Sequence, residues 1–402
     1  MSDMGAVLPE ELDLDVAPVT DMSAATGSLQ ATVVRTRQEF DAMAQAWMAL
    51  ENGSSSAVLF QSHAWAKAIF DFEAARGNND FEPVISALYE HGTLKALLPL
   101  ERVRSRTRTV LTSLGHGFVQ YGDMLLAPGA DPKAALSKLL KAATKAAPCD
   151  AITLLKVRAD SALARGMPAN HLVTGTLQGA PYVQLENFPD FASYFATIKT
   201  KTRKNMRNDR NRLERQGPVA HQVAKTAEQV RALIERTMQG RADRLKQQGL
   251  TSRAFGDSAF FDFCHGLPDQ SDLELMAMSL THNNEPIAEQ WGFVHNKRYY
   301  AFVASRDFAN AESPGKLQLG EIIEVCAARG LVGADLMVPV MPYKLTWATK
   351  VVEVTDYALP LTLRGRLILT FWDQKLRPIA KATVMAMPSG IRGLVMKLLG
   401  KS

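Results

Sequence analysis

Three apolar runs in close succession, Leu273 to Leu280, Ile287 to Val294 and Tyr299 to Ser305, are separated only by His282-Asn283-Asn284-Glu285 and Asn296-Lys297. Asparagine tolerates the backbone of tight hairpin turns, so the pattern predicts an antiparallel meander. The meander leads into Ser313-Pro314-Gly315-Lys316, which opens an apolar helix predicted from Pro314 to Ala328; strands follow at Ala334 to Val338 and Val351 to Tyr357. The first amides of a helix have no internal acceptor and carry partial positive charge, so such an N-terminus suits phosphate. Ser313 is a natural N-cap, Pro314 fits the first helical position, Gly315 admits a ligand close to the backbone and Lys316 adds a movable charge. The same four residues would serve equally as a plain helix start.

At 402 residues the chain exceeds one small core, which predicts two domains. Residues 1–29 read as a disordered acidic tail, since Asp3, Glu10, Glu11, Asp13, Asp15 and Asp21 precede the first basic residue, Arg35, the reverse of a secretion signal. The first folded half, residues 30–180, reads as a strand at Ala31 to Arg35, helices at Glu39 to Leu50 and Ser62 to Glu73, and strands at Pro83 to Tyr89, Thr93 to Val103, Val110 to Leu114 and Asp123 to Leu126. A helix from Pro132 to Ala146 and a strand from Ala151 to Val157 complete it. The second half, residues 181–360, reads as a strand at Tyr182 to Leu185, a helix near Phe191 to Ile198, a basic helix ending near Gly217, a long helix over Ala227 to Lys246, and then the meander. The fold class is therefore α/β, with mixed, largely antiparallel sheets flanked by helices.

Charge is unevenly placed. Eight basic residues fall in the seventeen positions from Lys199 to Arg215, with Arg203, Arg207 and Arg210 on one helical stripe. Residues 361–402 hold eight basic residues against Asp373 alone, more positive charge than the net +5 of the whole chain. There Ile391, Leu394, Val395, Leu398 and Leu399 repeat at helical spacing, which fits a short helix lying on an anionic membrane or packing on the protein body. No apolar stretch approaches the roughly 18 to 20 residues that cross a bilayer. Cys149, Cys264 and Cys326 are too scattered for a metal site or a disulfide framework.

The strings Ser313-Pro314-Gly315-Lys316-Leu317, Gly330-Leu331 ahead of Asp335, Tyr343-Lys344 followed by Trp347, and Lys201-Thr202-Arg203-Lys204-Asn205 leading to Arg212-Leu213 and Gly217 resemble the GNAT superfamily. The branch they resemble is associated with cellulose and exopolysaccharide biosynthesis and is similar to Fem-type aminoacyltransferases; the likeness runs from about Tyr182 to Tyr357 and extends more weakly over the first half. It departs from the superfamily's Arg/Gln-x-x-Gly-x-Gly/Ala loop, because only Gly315 precedes the helix. The resemblance implies tandem GNAT-like domains, an acyl donor on the second and an acceptor groove between them. It also implies acyl-CoA as co-substrate with no permanently bound cofactor, its pyrophosphate on Gly315, Lys316 and Leu317 and its pantetheine between the strands at Tyr299 and Ala334.

Direct acyl transfer to an amine needs an unprotonated nucleophile, oxyanion donors and an acid for the thiolate. Glu289, just before Trp291, and His116, between Gly115 and Gly117, are the candidate bases; an apolar setting beside Trp291 would raise the pKa of Glu289 toward use. Tyr343 is the candidate acid, because the resemblance places a tyrosine after the strand that borders the pantetheine. Lys344 is expected near phosphate, while Trp291, Trp347, Tyr121 and Asp123 are expected along the acceptor path, each also open to a packing or turn role. Arg203 and Arg207 would take a broader anionic partner, aminoacyl-tRNA in the Fem-like alternative, and nothing points to DNA. Similarity to bacterial ceramide synthases, together with the basic tail, suggests a membrane-resident sphingoid amine and a cytoplasmic enzyme peripheral to the inner membrane. A nucleotide sugar or polysaccharide acceptor, and a noncatalytic adaptor for phosphate or membrane, are the alternatives.

Overall fold

The computed structural model describes residues 29–54, 59–247, 258–306 and 314–370. The acidic segment before residue 29, the expected cap Ser313 and the amphipathic run at 389–399 lie outside the described residues. Among the described residues thirteen strands are β1 (Gln30–Val34), β2 (Pro83–Glu90), β3 (Thr93–Arg104), β4 (Thr109–Ser113), β5 (Leu125–Leu126), β6 (Ala151–Arg158), β7 (Leu172–Gln184), β8 (Val219–Val223), β9 (Glu274–His282), β10 (Glu285–His295), β11 (Arg298–Arg306), β12 (Gly333–Asp335) and β13 (Lys350–Pro360). All belong to one sheet in the order β1-β2-β3-β4-β6-β13-β7-β12-β11-β10-β9-β8, with β5 appended to β3.

Two like halves make up that order. In the first, β1 to β4 pair antiparallel in sequence, and the helix Pro132–Ala146 crosses over to place β6 parallel to β4. In the second, β8 to β11 pair antiparallel in sequence, and the helix Pro314–Ala328 places β12 parallel to β11. The reason is local: hairpin turns join antiparallel neighbours, whereas a parallel neighbour requires a helical crossover. Leu136, Leu139, Leu140 and Ala143 bury one face of the first crossover helix, and Asp131 caps it by accepting from Lys133 N and Ala134 N.

The two halves then exchange strands. The chain leaving the first half forms β7, which pairs with β12 of the second; the chain leaving the second forms β13, which pairs with β6 of the first. β7 and β13 pair with each other and close the seam. The expected fold class, mixed α/β with a largely antiparallel sheet between helices, is what the structure shows, but as one continuous sheet rather than two. The expected boundary between residues 180 and 181 falls inside β7. Aromatic packing across the seam adds a shared core, with Trp65 against Phe293 and Phe263, and Phe60 against Tyr121 and Tyr300.

β11 carries one irregularity. Trp291 pairs with Val303 but Gly292 pairs with Ala301, so Phe302 is an unpaired extra residue, a β-bulge. Gly292 permits it, because a Cβ there would lie 1.9 Å from the Tyr300 carbonyl oxygen. Gly292→Ala should therefore lose about 1–3 kcal/mol in denaturant unfolding, whereas Gly117→Ala, where a Cβ meets nothing within 4 Å, should be near neutral. Equal stability of the two variants would mean that the bulge is not held this tightly.

Candidate functional site

The parallel ladder between β11 and β12 lasts only from Arg298↔Gly333 to Tyr300↔Asp335. Beyond it β11 runs on to Arg306, while Leu336 N–H bonds to the Pro181 carbonyl of β7 and Met337 turns with φ 59°. The two strands part, and the bulge at Phe302 sits where they separate. A split parallel pair with an irregular strand leaves peptide groups outside the ladder, available to a ligand threaded between.

Three elements surround this cleft. The helix Pro314–Ala328 begins just past β11, with Gly315 and Lys316 half-buried at its start and Leu317 turned into the core. Gln318 Nε2 donates to the Met278 carbonyl at 2.8 Å and fixes that helix on the sheet. The short helix Pro342–Leu345 carries Tyr343 and Lys344 and is anchored by Trp347, whose indole lies against Gly320, where a Cβ would be 2.6 Å from the ring. From the third side comes the helix Ala227–Gln247: Gly240 presses on Ser305 of β11, a Cβ there falling 2.4 Å from Ser305 Oγ, and Arg241 follows next. Burial lowers the Arg241 pKa, with the Tyr343 phenol acting against it.

Lys344 has a defined task. Its Nζ donates to the Met337 and Pro339 carbonyls, at 2.9 and 3.2 Å, and so clamps the loop that leads away from β12. Burial pushes its pKa down to about 8; Asp335 resists this and Arg241 adds to it. Lys344, Tyr343 and Arg241 thus form a polar group at the cleft, whose two cations suit an anion.

The corresponding cleft of the first half is filled by its own chain. After the parallel pairs from Val110↔Ala151 to Thr112↔Thr153, Gly122 N–H bonds to the Leu155 carbonyl at 3.1 Å, where a Cβ would come within 2.8 Å of that oxygen. Lys156 Nζ closes the same space by reaching Gln120 Oε1 at 3.0 Å. The helix N-terminus there is occupied by Asp131.

Asp335 ties the halves together at the apex of the open cleft. Fully buried, it accepts from Tyr121 Oη at 2.9 Å and from its own Met337 N–H at 2.8 Å, and it pairs with Arg158. Arg158 continues to Asp160 through two bonds of 2.9 Å and lies over the Tyr121 ring. Sequence reasoning had no handle on this network, because its members lie up to 214 residues apart.

Several expected site residues are placed otherwise. Glu289 does not sit in an apolar setting: Arg236 grips it with Nη2 at 2.7 Å and Nε at 3.1 Å, and Ser279 Oγ donates at 2.8 Å. Its oxygens are taken up by the protein's own donors. His116 is bound to Glu101 through Nδ1 at 2.6 Å and belongs to the first half, beyond β4. Trp291 is buried and donates to Thr237 Oγ1 at 3.0 Å, and Trp347 is equally buried; neither offers a face to an acceptor. Tyr121 is buried on Asp335 instead of lining an open groove. Asp123, also buried, caps the helix Ala162–Gly166 by accepting from Leu163 N at 2.9 Å, and burial pushes its carboxyl up to about 7. The basic stripe is divided: Arg203 folds back on the Ile198 carbonyl, Arg210 pairs with Glu214 and Glu321, and Arg207 is exposed. A separate hollow of about 680 Å³ between the helices His63–Ala75 and Ser258–Gly266 lies away from the β11/β12 cleft.

Asp335→Asn leaves Arg158 facing only the half-exposed Asp160 and should cost roughly 3–5 kcal/mol in urea unfolding, against about 1 kcal/mol for Tyr121→Phe. Reversed magnitudes would show that the buried pair is not the main tie. Asp123 titrates higher in the folded chain than its ordinary value near 4, so its contribution is present below about pH 4 and is lost as pH rises through about 7. In thermal melts Asp123→Asn should accordingly gain on the native protein between pH 4.5 and 7.5, and a constant gap would contradict this assignment.

Residues 200–345 match the family described as acetyltransferase (GNAT) domain. Among solved structures the chain is similar to FemX, with 12% identity and a TM-score of 0.58 over 82% of this chain and 98% of that one. It is similar to a conserved protein of unknown function from Bacteroides thetaiotaomicron, with 15% identity and a TM-score of 0.50 over 81% and 97%. A tandem GNAT protein from the clavulanic acid biosynthesis pathway aligns over 82% and 98% with 8% identity and a TM-score of 0.44. No curated protein matches the chain in sequence. At such identities the structural likeness concerns fold alone: the chain has a GNAT-like fold, and within it Thr200 to Leu345 are similar to GNAT acetyltransferase domains.

Proposed function

We propose that this chain is an N-acyltransferase that takes its acyl group from acyl-CoA and delivers it to a primary amine. The observation that carries the reading is the parting of β11 and β12 at a bulge, beside the start of the helix Pro314–Ala328. A thioester arm threaded there would replace the missing ladder, with its pyrophosphate at Gly315 and Lys316 and its carbonyl beside the backbone near Phe302. The filled first-half cleft supports a single donor site, in the second half.

In this reading the amine nitrogen attacks the thioester carbon and the C–S bond breaks as the tetrahedral intermediate collapses. The departing thiolate takes its proton from Tyr343, the nitrogen of the intermediate gives one up to solvent, and the Tyr343 phenolate recovers its proton from solvent. Arg241 and Lys344 offset the negative charge of the donor. With Glu289 and His116 both engaged, the nucleophile is the fraction of amine already neutral, so the rate should climb with pH through the amine's own titration.

For the acceptor we infer a lipid amine, a sphingoid base being the first to try, met by a peripheral protein on the cytoplasmic face of the membrane. Leu361, Leu363 and Leu367 are exposed around the short helix Leu363–Leu367, beside Arg364 and Arg366, and this mixture of apolar and basic side chains supports contact with an anionic bilayer. A nucleotide-sugar or polysaccharide amine is the soluble alternative. An aminoacyl-tRNA donor is the second reading, favoured by exposed Lys201, Lys204 and Arg207 on the helix Thr200–Gln216.

Incubation of the protein with a panel of acyl-CoAs and amines, read by product mass, tests the proposal. Acylated amine is the expected product; turnover only with aminoacyl-tRNA, with strong loss at higher salt, would replace it with the second reading. Gly315→Val should abolish the thermal stabilisation by acyl-CoA and Lys316→Ala should weaken it severalfold. An undiminished shift in the glycine variant would place the donor elsewhere.

A further inference from the structure

The end of the sheet where β3 turns into β4 gathers charge that neither the Asp335 network nor the donor cleft uses. Arg104 and Arg106 are exposed on that turn, and Ser105 stiffens it by exchanging bonds of 2.8 to 3.1 Å with Arg108. Asp150, just before β6, joins the turn to the chain leaving β13. Its carboxylate accepts from Thr109 N at 2.8 Å and Thr362 Oγ1 at 3.1 Å, and its carbonyl accepts from Leu361 N at 2.9 Å. The helix Leu363–Leu367 presses on the same residue, since a Cβ on Gly365 would lie 2.0 Å from the Asp150 carbonyl oxygen. Turn and helix therefore make one fixed surface.

Its chemistry is of two kinds. Leu363 and Leu367, one helical turn apart, are 82% and 67% exposed, more than any other large apolar side chain among the described residues, with Leu361 beside them. Arg35, Arg102 and Arg104 share Glu82, and Arg106, Arg364 and Arg366 make no ion pair among the described residues. Asp150, near Arg364, is already engaged by Thr109 and Thr362. Bare leucine beside surplus arginine fits an anionic interface, in which acyl chains take the leucines and headgroups the charges. The sequence past residue 370 carries six basic residues against Asp373, so like charge disfavours that segment as the cover.

Strand direction relates this surface to the cleft. β12 and β13 both pair antiparallel with β7, so they run the same way. Asp335 and Lys350 stand opposite the same residue, Tyr182, and from that level β13 continues to Pro360, roughly 30 Å at the rise of a strand. The donor cleft opens beyond Asp335, in that same direction. We propose that the β3–β4 turn and the helix Leu363–Leu367 form one docking surface for an anionic bilayer, and that seating there turns the open cleft toward the membrane. The proposal rests on the lipid-acceptor reading and adds to it the surface used and the side from which the acceptor enters.

Sedimentation with vesicles tests the surface. The full chain should bind mixed phosphatidylglycerol–phosphatidylcholine vesicles, bind pure phosphatidylcholine far less, and come off as salt rises. Arg106→Ser combined with Arg364→Ser and Arg366→Ser should weaken partitioning roughly a hundredfold, and Leu363→Ser with Leu367→Ser about tenfold, both with unchanged melting temperature. Native-like vesicle binding by both variants would move the contact elsewhere in the chain and overturn the surface. So would a native protein that ignores vesicles, or one that RNA strips from them at equal charge. Energy transfer to a dye in the bilayer checks the orientation: it should be stronger from a fluorophore at Leu345→Cys, beside the cleft, than at Lys297→Cys in the β10–β11 turn at the opposite end, and the reverse order would refute it. Vesicle binding lost in the two variants, with no acyl transfer to any amine, would keep the surface and discard the reading beneath it; transfer to a lipid amine that ignores both variants would do the opposite.

Discussion

A carboxylate with no access to water is costly unless charge and hydrogen bonds surround it, and Asp335 meets that condition only by drawing on both halves of the chain. Its own half supplies the Met337 N–H, which sets the turn that carries the chain away from β11; the other half supplies Arg158 and Tyr121. The split between β11 and β12 is therefore not a property of the second half alone. The first half, whose own cleft is filled, contributes the guanidinium that allows a charged residue to turn the chain at the apex of the open one.

Strand exchange makes that dependence mechanical. β7 and β13 each leave one half and complete the other, so separating the halves would expose two strand edges as well as the aromatic core around Trp65 and Phe293. Edges so long are not left bare, and the seam is expected to open only with the fold. Residues on the two sides of the seam, Arg158 and Lys350 on one and Arg298 and Tyr182 on the other, keep a fixed spacing that loosely linked domains would not provide.

Elements with strong periodicity were legible in the sequence. The helices Pro132–Ala146 and Pro314–Ala328 begin and end where proline, capping residues and apolar spacing put them, and the meander β9 to β11 lies where its turns require. Most of β7 was not legible, because Gly175, Gly179 and Pro181 interrupt any strand pattern, and its pairing comes from an exchange that no local rule encodes. At Met43 a single expected helix divides into Arg37–Ala42 and Ala44–Gly53. Of the candidate site, Gly315 and Lys316 stand half-buried at the start of the helix Pro314–Ala328, Lys344 bonds to the loop that leaves β12, and Tyr343 stands beside Arg241. The misplaced residues share one cause: polarity or aromaticity suggested a role that a distant partner had already taken, Arg236 for Glu289, Asp335 for Tyr121 and Gly320 for Trp347.

Lys344 shows how one residue can be structural and still serve a ligand. Its bonds to the Met337 and Pro339 carbonyls hold the loop but are neutral partners, so in a partly buried position its charge is offset in part by Asp335 and opposed by a second cation, Arg241. Burial and repulsion together bring its pKa to about 8, which means that its proton is held at a cost near neutral pH. An anion entering between Lys344 and Arg241 removes that cost, because it replaces lost hydration and screens one cation from the other. The desolvation that lowers the lysine's pKa would likewise make its charge worth more to a phosphate than that of a fully solvated lysine, and the loop clamp fixes where the ammonium stands.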